Sequence, residues 1–193
     1  MKPTAARVAA GWLRASARLK VALARTHGPV FDRAGGLLVE ALRGGGKILL
    51  FGNGGSAADA QHIAAELVVR FLRNRGALPA IALTTDTSVL TAASNDWGAD
   101  RVFSRQVEAL ARPGDVVIAI STSGTSPNVR AGIRAARARG ASVIGLTGAK
   151  GRSMAKACDV CFVVPSRFTP QIQESHIAIG HILCELIDRE FGG

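Results

Sequence analysis

A chain of 193 residues, 48% of them hydrophobic, is long enough for one sizeable core, and its longest apolar runs fall far short of a membrane span. The net charge of +10 at pH 7 suits an anionic partner, or simply arginine on solvated helix faces. The absence of tyrosine and of any dense basic run argues against nucleic acid. Three cysteines make no disulfide framework and point to a reducing, cytoplasmic setting.

The first 31 residues carry no acidic group and so imitate a transit peptide. Val8, Trp12, Leu19 and Leu23 nevertheless fall on one helical stripe, so the spacing predicts a docking helix over about 4–25 that ends at His27-Gly28-Pro29. A second helix over 30–43 stops at Gly44-Gly45-Gly46. Two helices ahead of the first strand exceed what one sheet needs for cover. Residues 1–45 therefore read as an oligomerisation segment, and 46–193 as the sheet core and closing helix of a single domain.

The first strand is 48–51, apolar throughout, and Asn53-Gly54-Gly55 ends it. Ser56 is placed to cap the helix that follows, and on that helix His62 and Glu66 leave the same face one turn apart. Strand, loop and helix then repeat. A short strand at 79–83 leads through TTDTS into a helix ending near Ser94, a turn at Asn95-Asp96-Trp97-Gly98, and a helix over 102–111. The strand at 116–120 is followed by STSGTS and a helix over 127–139, and a fourth strand at 142–146 by TGAKGRS and a short helix. A fifth strand at 161–164 precedes the closing helix at 170–190. Cys158 and Cys161 have C-x-x-C spacing, but no second pair completes a zinc site, and their place at a strand entry reads as packing. Strands that are apolar throughout imply a parallel sheet covered on both faces, with ligands at the carboxyl ends near a topological switch point.

Two loops are rich in glycine and hydroxyls, and both lead into helix N-termini. Ser121-Thr122-Ser123-Gly124-Thr125-Ser126 offers five hydroxyls in six residues, an array suited to a phosphate. GNGGSA also fits G-x-G-x-x-A. Asp86 lies too far along for the usual ribose contact, however, so no nucleotide cofactor is expected. His62 and Glu66 sit among apolar neighbours in a helix expected to be mostly buried, which calls for a partner or a metal. The closing helix supplies Gln173, Glu174, His176 and His181. On a helical wheel Gln173 lies about 80° from His181 and about 60° from His176, so spacing does not choose between the histidines. A mixed N/O set suits zinc or a similar divalent ion.

Together GNGGSAADAQHIAAE, ALTTDTSVLTAASND, ISTSGTSPNV and IQESHIAIGHI resemble the phosphoheptose isomerases, the sedoheptulose 7-phosphate isomerases of the sugar isomerase (SIS) fold. The resemblance implies a three-layer αβα sandwich around a five-stranded parallel sheet of flavodoxin-like order, assembled as a homotetramer with sites at subunit interfaces. It implies conversion of sedoheptulose 7-phosphate to D-glycero-D-manno-heptose 7-phosphate through an enediol, the first step of nucleotide-activated heptose synthesis. Carried over residue by residue, it assigns Asn53, Gly54, Gly55, Ser56, Arg70, Asn95, Asp96 and Gln173 to the substrate. Ser121, Thr122, Ser123 and Ser126 go to its phosphate. One zinc per subunit falls to His62, Glu66, Gln173 and His181, with Glu66 and His181 as the catalytic pair. Some members of this fold only bind, among them the relative that associates with the replication initiator DnaA and sugar-phosphate sensors. That initiator-associating relative lacks the Glu and second His present here.

Overall fold

The computed structural model describes residues 2–192. Helix α1 (Ala5–Thr26) is capped by the Thr4 side chain, and α2 (Gly28–Arg43) follows at once, with Pro29 in its first turn. The central strands are β1 (Ile48–Gly52), β3 (Val116–Ser121) and β4 (Ser142–Gly148), with β2 (Ala80–Ala82) and β5 (Val160–Val164) at the edges. All pairings are parallel and the order is β2-β1-β3-β4-β5, the flavodoxin-like arrangement.

Helices alternate with the strands: α3 (Gly55–Val68), α4 (Thr87–Trp97), α5 (Val102–Leu110), α6 (Pro127–Ala138), the short α7 (Arg152–Ala155) and the closing α8 (Thr169–Phe191). Alternate strand residues divide between two cores. Ile48, Leu50, Ile118, Ile120 and Phe162 pack under α2, α3 and α8, while Leu49, Phe51, Val117, Ala119 and Val143 pack under α4, α5 and α6. This is the three-layer sandwich the apolar strands imply.

Three expectations need correction. The run at 95–98 is no turn, because α4 continues to Trp97 and only Gly98, at φ +85°, breaks it. Ser56 does not cap α3. Gly54, at φ +56°, lets the chain turn early, so the helix starts at Gly55 and Ser56 is drawn into the gap beside Gly52. The third concerns β2, whose short outer edge leaves Ile81 40% exposed instead of buried.

Of the α1 stripe, Leu23 is buried while Val8 and Trp12 remain exposed. Trp12 Nε1 donates to Glu174 Oε1 at 2.9 Å, and the Ser16 hydroxyl bonds the other carboxylate oxygen, which fixes α1 on α8.

Candidate active site

The switch point lies between β1 and β3, where one chain leaves toward β2 and the other toward β4. Both glycine-rich loops open there. Asn53 and Asn128 tie them together with two reciprocal amide bonds, Asn53 Nδ2 to Asn128 Oδ1 at 2.9 Å and Asn128 Nδ2 to Asn53 Oδ1 at 3.0 Å. Asn128 was not a sequence candidate, since nothing in PNV marks it apart from an ordinary helix start.

In the second loop the hydroxyls organise one another. Ser121 Oγ lies 3.2 Å from Ser126 Oγ and accepts from Gly124 N at 3.1 Å, while Ser123 Oγ accepts from Thr125 N at 3.2 Å. The Ser126 side chain makes no capping bond to α6, so the dipole end of that twelve-residue helix faces the loop without a carboxylate or hydroxyl cap. An anion fits this place. Gly124 takes φ +67°, and a side chain on it would strike Gly151 Cα.

On α3 and α8 a carboxylate and two imidazoles meet. His62 Nε2 is 2.9 Å from His181 Nε2 and 3.2 Å from Glu66 Oε1, and the three donors lie within 4.8 Å of one another. His176, the histidine that the helical wheel left open, is fully buried elsewhere with neither ring nitrogen bonded. Phe71 stacks on the His181 ring at 5.5 Å. Arg70, one residue earlier, is exposed just past the end of α3.

The helix carrying His62 and Glu66 is half exposed rather than mostly buried, with side-chain exposures of 49% and 22% for the two residues. Two imidazole nitrogens and one carboxylate oxygen gathered within 4.8 Å form a mixed donor set that would suit a divalent ion such as zinc.

Beside this cluster a buried ion pair that the sequence did not reveal ties α3 to α8. Asp188 accepts from Arg75 Nε at 2.7 Å and from the backbone of Leu72 and Arg73, while the Arg75 guanidinium donates to the carbonyls of Glu66 and Leu67. The end of α3 and the end of α8 are thereby locked together. Burial alone would raise the Asp188 carboxyl, but the Arg75 bond, the two backbone N–H bonds and the Arg75 charge hold it below its ordinary value.

Asp59 also escaped notice. It precedes His62 by one turn on the same stripe, one of its carboxylate oxygens is buried without a partner, and burial raises it to about 6 against the pull of His62. The spacing 59, 62, 66 was the available signal.

The chain does not gather every candidate. Gln173 packs its carboxamide on Gly55 at the loop mouth, two turns of α8 and about 12 Å from His181. His62 is likewise two turns, about 10 Å, down α3 from Gly55. Asn95 and Asp96 pair with each other at 2.7 Å, and Asp96 lines a separate hollow with Trp97 and Arg105. One subunit thus presents a loop mouth and, apart from it, a His-Glu-His cluster.

Comparison with known proteins agrees with this fold. The SIS domain family model matches residues 11–148, which defines the class as a sugar isomerase domain. Within it, a phosphoheptose isomerase of Rhodospirillum rubrum is 59% identical over 160 residues, covering 83% of this chain and 85% of the relative. The solved phosphoheptose isomerase GmhA from Neisseria gonorrhoeae superposes with a TM-score of 0.91 at 45% identity, covering 96% of this chain and all of that one. The phosphoheptose isomerase of Francisella tularensis gives a TM-score of 0.93 at 35% identity over 97% of this chain and all of that one. The chain belongs to the phosphoheptose isomerase family.

Proposed function

We propose that this chain isomerises D-sedoheptulose 7-phosphate to D-glycero-D-manno-heptose 7-phosphate in the cytoplasm, opening the synthesis of nucleotide-activated heptose for lipopolysaccharide. The observation that carries the reading is the meeting of His62, Glu66 and His181 from two helices, since a pure binder has no need of a general base beside an imidazole. A DnaA-associating role is disfavoured for the same reason.

Moving a proton from C1 to C2 through an enediol(ate) requires a base at carbon and an acid at oxygen. Glu66 takes and returns the carbon proton, and His181 exchanges protons with the sugar oxygens. Ser121, Thr122, Ser123 and Ser126 hold the phosphate at the N-terminus of α6, and Asn53, Gly54, Gly55, Ser56 and Gln173 orient the sugar. A zinc ion on His62, Glu66 and His181 would supply stabilisation of negative charge on the substrate oxygens.

The separation between loop mouth and cluster supports a homotetramer whose sites form between subunits, with α1 and α2 in the contacts. The loops and Gln173 of one chain then face the cluster of another, where Gln173 would help to hold the metal and Arg70, Asn95 and Asp96 reach the substrate. Glu66→Gln is expected to lose roughly 10²–10⁴-fold in turnover while still binding the sugar phosphate. Chelator is expected to abolish activity and zinc to restore it. Near-normal turnover of the variant would sink the assignment.

A further inference from the structure

Both thiols of the C-x-x-C turn converge on one spot above β4. A Cβ placed on Gly145 would stand 2.8 Å from Cys158 Sγ, 2.9 Å from Cys161 Sγ and 3.4 Å from Met154 Cε. The missing side chain at 145 is what leaves the two sulfurs room to face each other.

Neither thiol is strongly engaged elsewhere. Cys158 Sγ points to Met154 O at 3.3 Å and Cys161 Sγ to the Phe162 carbonyl at 4.0 Å, and a thiol is a weak donor. Both cysteines are partly exposed, whereas Cys184 is buried. Their chemistry is also unequal. The neighbouring Cys161 thiol, helped by Arg137, holds the Cys158 thiol below its ordinary value against burial and the Asp159 charge. Cys158 in turn, with burial, pushes Cys161 up. A thiolate that attacks and a thiol that resolves differ in this sense.

Met154 connects the pair to the substrate site. It is 1% exposed, and its Cβ lies 3.3 Å from the position a Cβ on Gly124 would take, while its tip lies over Gly145. This buried side chain thus lies between the hydroxyl loop, at its Cβ, and the glycine under the dithiol, at its methyl.

We propose that Cys158 and Cys161 form a reversible disulfide above Gly145 and that Met154 transmits its state to the loop 121–126. The oxidant is a small disulfide RSSR of the glutathione class. The Cys158 thiolate attacks one sulfur and expels RS⁻; Cys161 gives up its proton, attacks the Cys158 sulfur of the mixed disulfide and expels the second RS⁻. Two protein thiols are oxidised and one RSSR is reduced to two RSH. Closing the bond brings the sulfurs to about 2.05 Å, and the Met154 methyl, which shares the space over Gly145 with them, shifts as they move.

The test treats the full-length protein with oxidised glutathione and reads intact mass and peptide maps. The expected product has lost about 2 Da, placed between Cys158 and Cys161, with Cys184 free and dithiothreitol reversing the change. A stable glutathione adduct on either cysteine, or a bond to Cys184, overturns the disulfide. The transmission to the loop rests on the phosphate reading above and has its own readout. The KM for sedoheptulose 7-phosphate is expected to differ about fivefold or more between oxidised and reduced protein, with no difference in the Cys158→Ser, Cys161→Ser double variant. A formed disulfide with unchanged KM overturns the transmission. A protein that forms the disulfide but isomerises nothing, even when reduced, overturns the functional reading and leaves the thiol chemistry standing.

Discussion

Gly55→Ala separates site geometry from stability. Gly55 is exposed, begins α3 and has no positive φ, so alanine suits the backbone and is expected to stabilise by roughly 0.5–1 kcal/mol. The added methyl, however, would stand 3.0 Å from Gln173 Cδ and closer still to its Nε2, where such contacts settle at about 3.5–4.0 Å. The obstacle is the far end of a flexible side chain, so the carboxamide yields by roughly 1 Å instead of the fold yielding. A displacement of that size at a substrate-orienting group costs on the order of 10²-fold in kcat/KM. Thermal unfolding and an isomerase assay on the same preparation read both effects. Wild-type kcat/KM at an unchanged or raised Tm refutes the placement of Gln173 in the site; a fall in Tm of several degrees refutes the reasoning about where the methyl goes.

Asp188→Asn leaves the Arg75 guanidinium, 1% exposed, without its counter-charge. It is expected to cost about 3–5 kcal/mol at neutral pH in denaturant titrations. Because the folded Asp188 carboxyl lies below its unfolded value near 3.9, its contribution is full above about pH 4 and is lost as pH falls further. The variant should therefore be less sensitive than the native protein in that acid window, and equal slopes would count against the pair. His176 titrates in a different window. Burial pushes its folded value to about 4, and the nearby Thr147 backbone, which makes no bond to the ring, offsets only part of this. The unfolded chain takes up a proton near 6.5, so stability is full above that value and declines as pH falls toward 4. His176→Phe is expected to flatten the decline between pH 6.5 and 4, and a decline of unchanged size would show that His176 is not its source.

The alternation of apolar strands with glycine-ended helices was enough to read the sheet, its two cores and the two loops at the switch point, because each of those follows from local pattern and chain order. Boundaries slipped where one glycine controlled the geometry: Gly54 moved the start of α3 ahead of Ser56, and Gly98 rather than Asn95 ended α4. The His62–Glu66 spacing was visible as a helical stripe, but spacing did not choose His181 over His176; that choice came from the family resemblance alone. Burial against β4 decides that, and no wheel projection contains the sheet. Arg75 and Asp188 were illegible for a similar reason. They are 113 residues apart in the chain, and neither lies in a motif, yet together they fix the two helix ends that carry the cluster.

The division of the site between loop mouth and cluster leads to the sharpest test of the assembly. If each working site takes its cluster from one chain and its loops and Gln173 from another, two inactive variants should complement. Glu66→Gln spoils the cluster and keeps the loop mouth; Gln173→Ala does the reverse. When the two are unfolded together and reassembled in equal amounts, a site is intact only where a Glu66→Gln chain supplies the loops and a Gln173→Ala chain supplies the cluster. That makes roughly one site in four for random association in a symmetric oligomer. Activity near a quarter of the native level, from parents that are each nearly inactive, is the expected result. A mixture no more active than its parents, with mixed oligomers confirmed by native mass spectrometry, would mean that one chain completes the site by itself. The two-turn spacing along α3 and α8 would then have to close by a movement within the subunit.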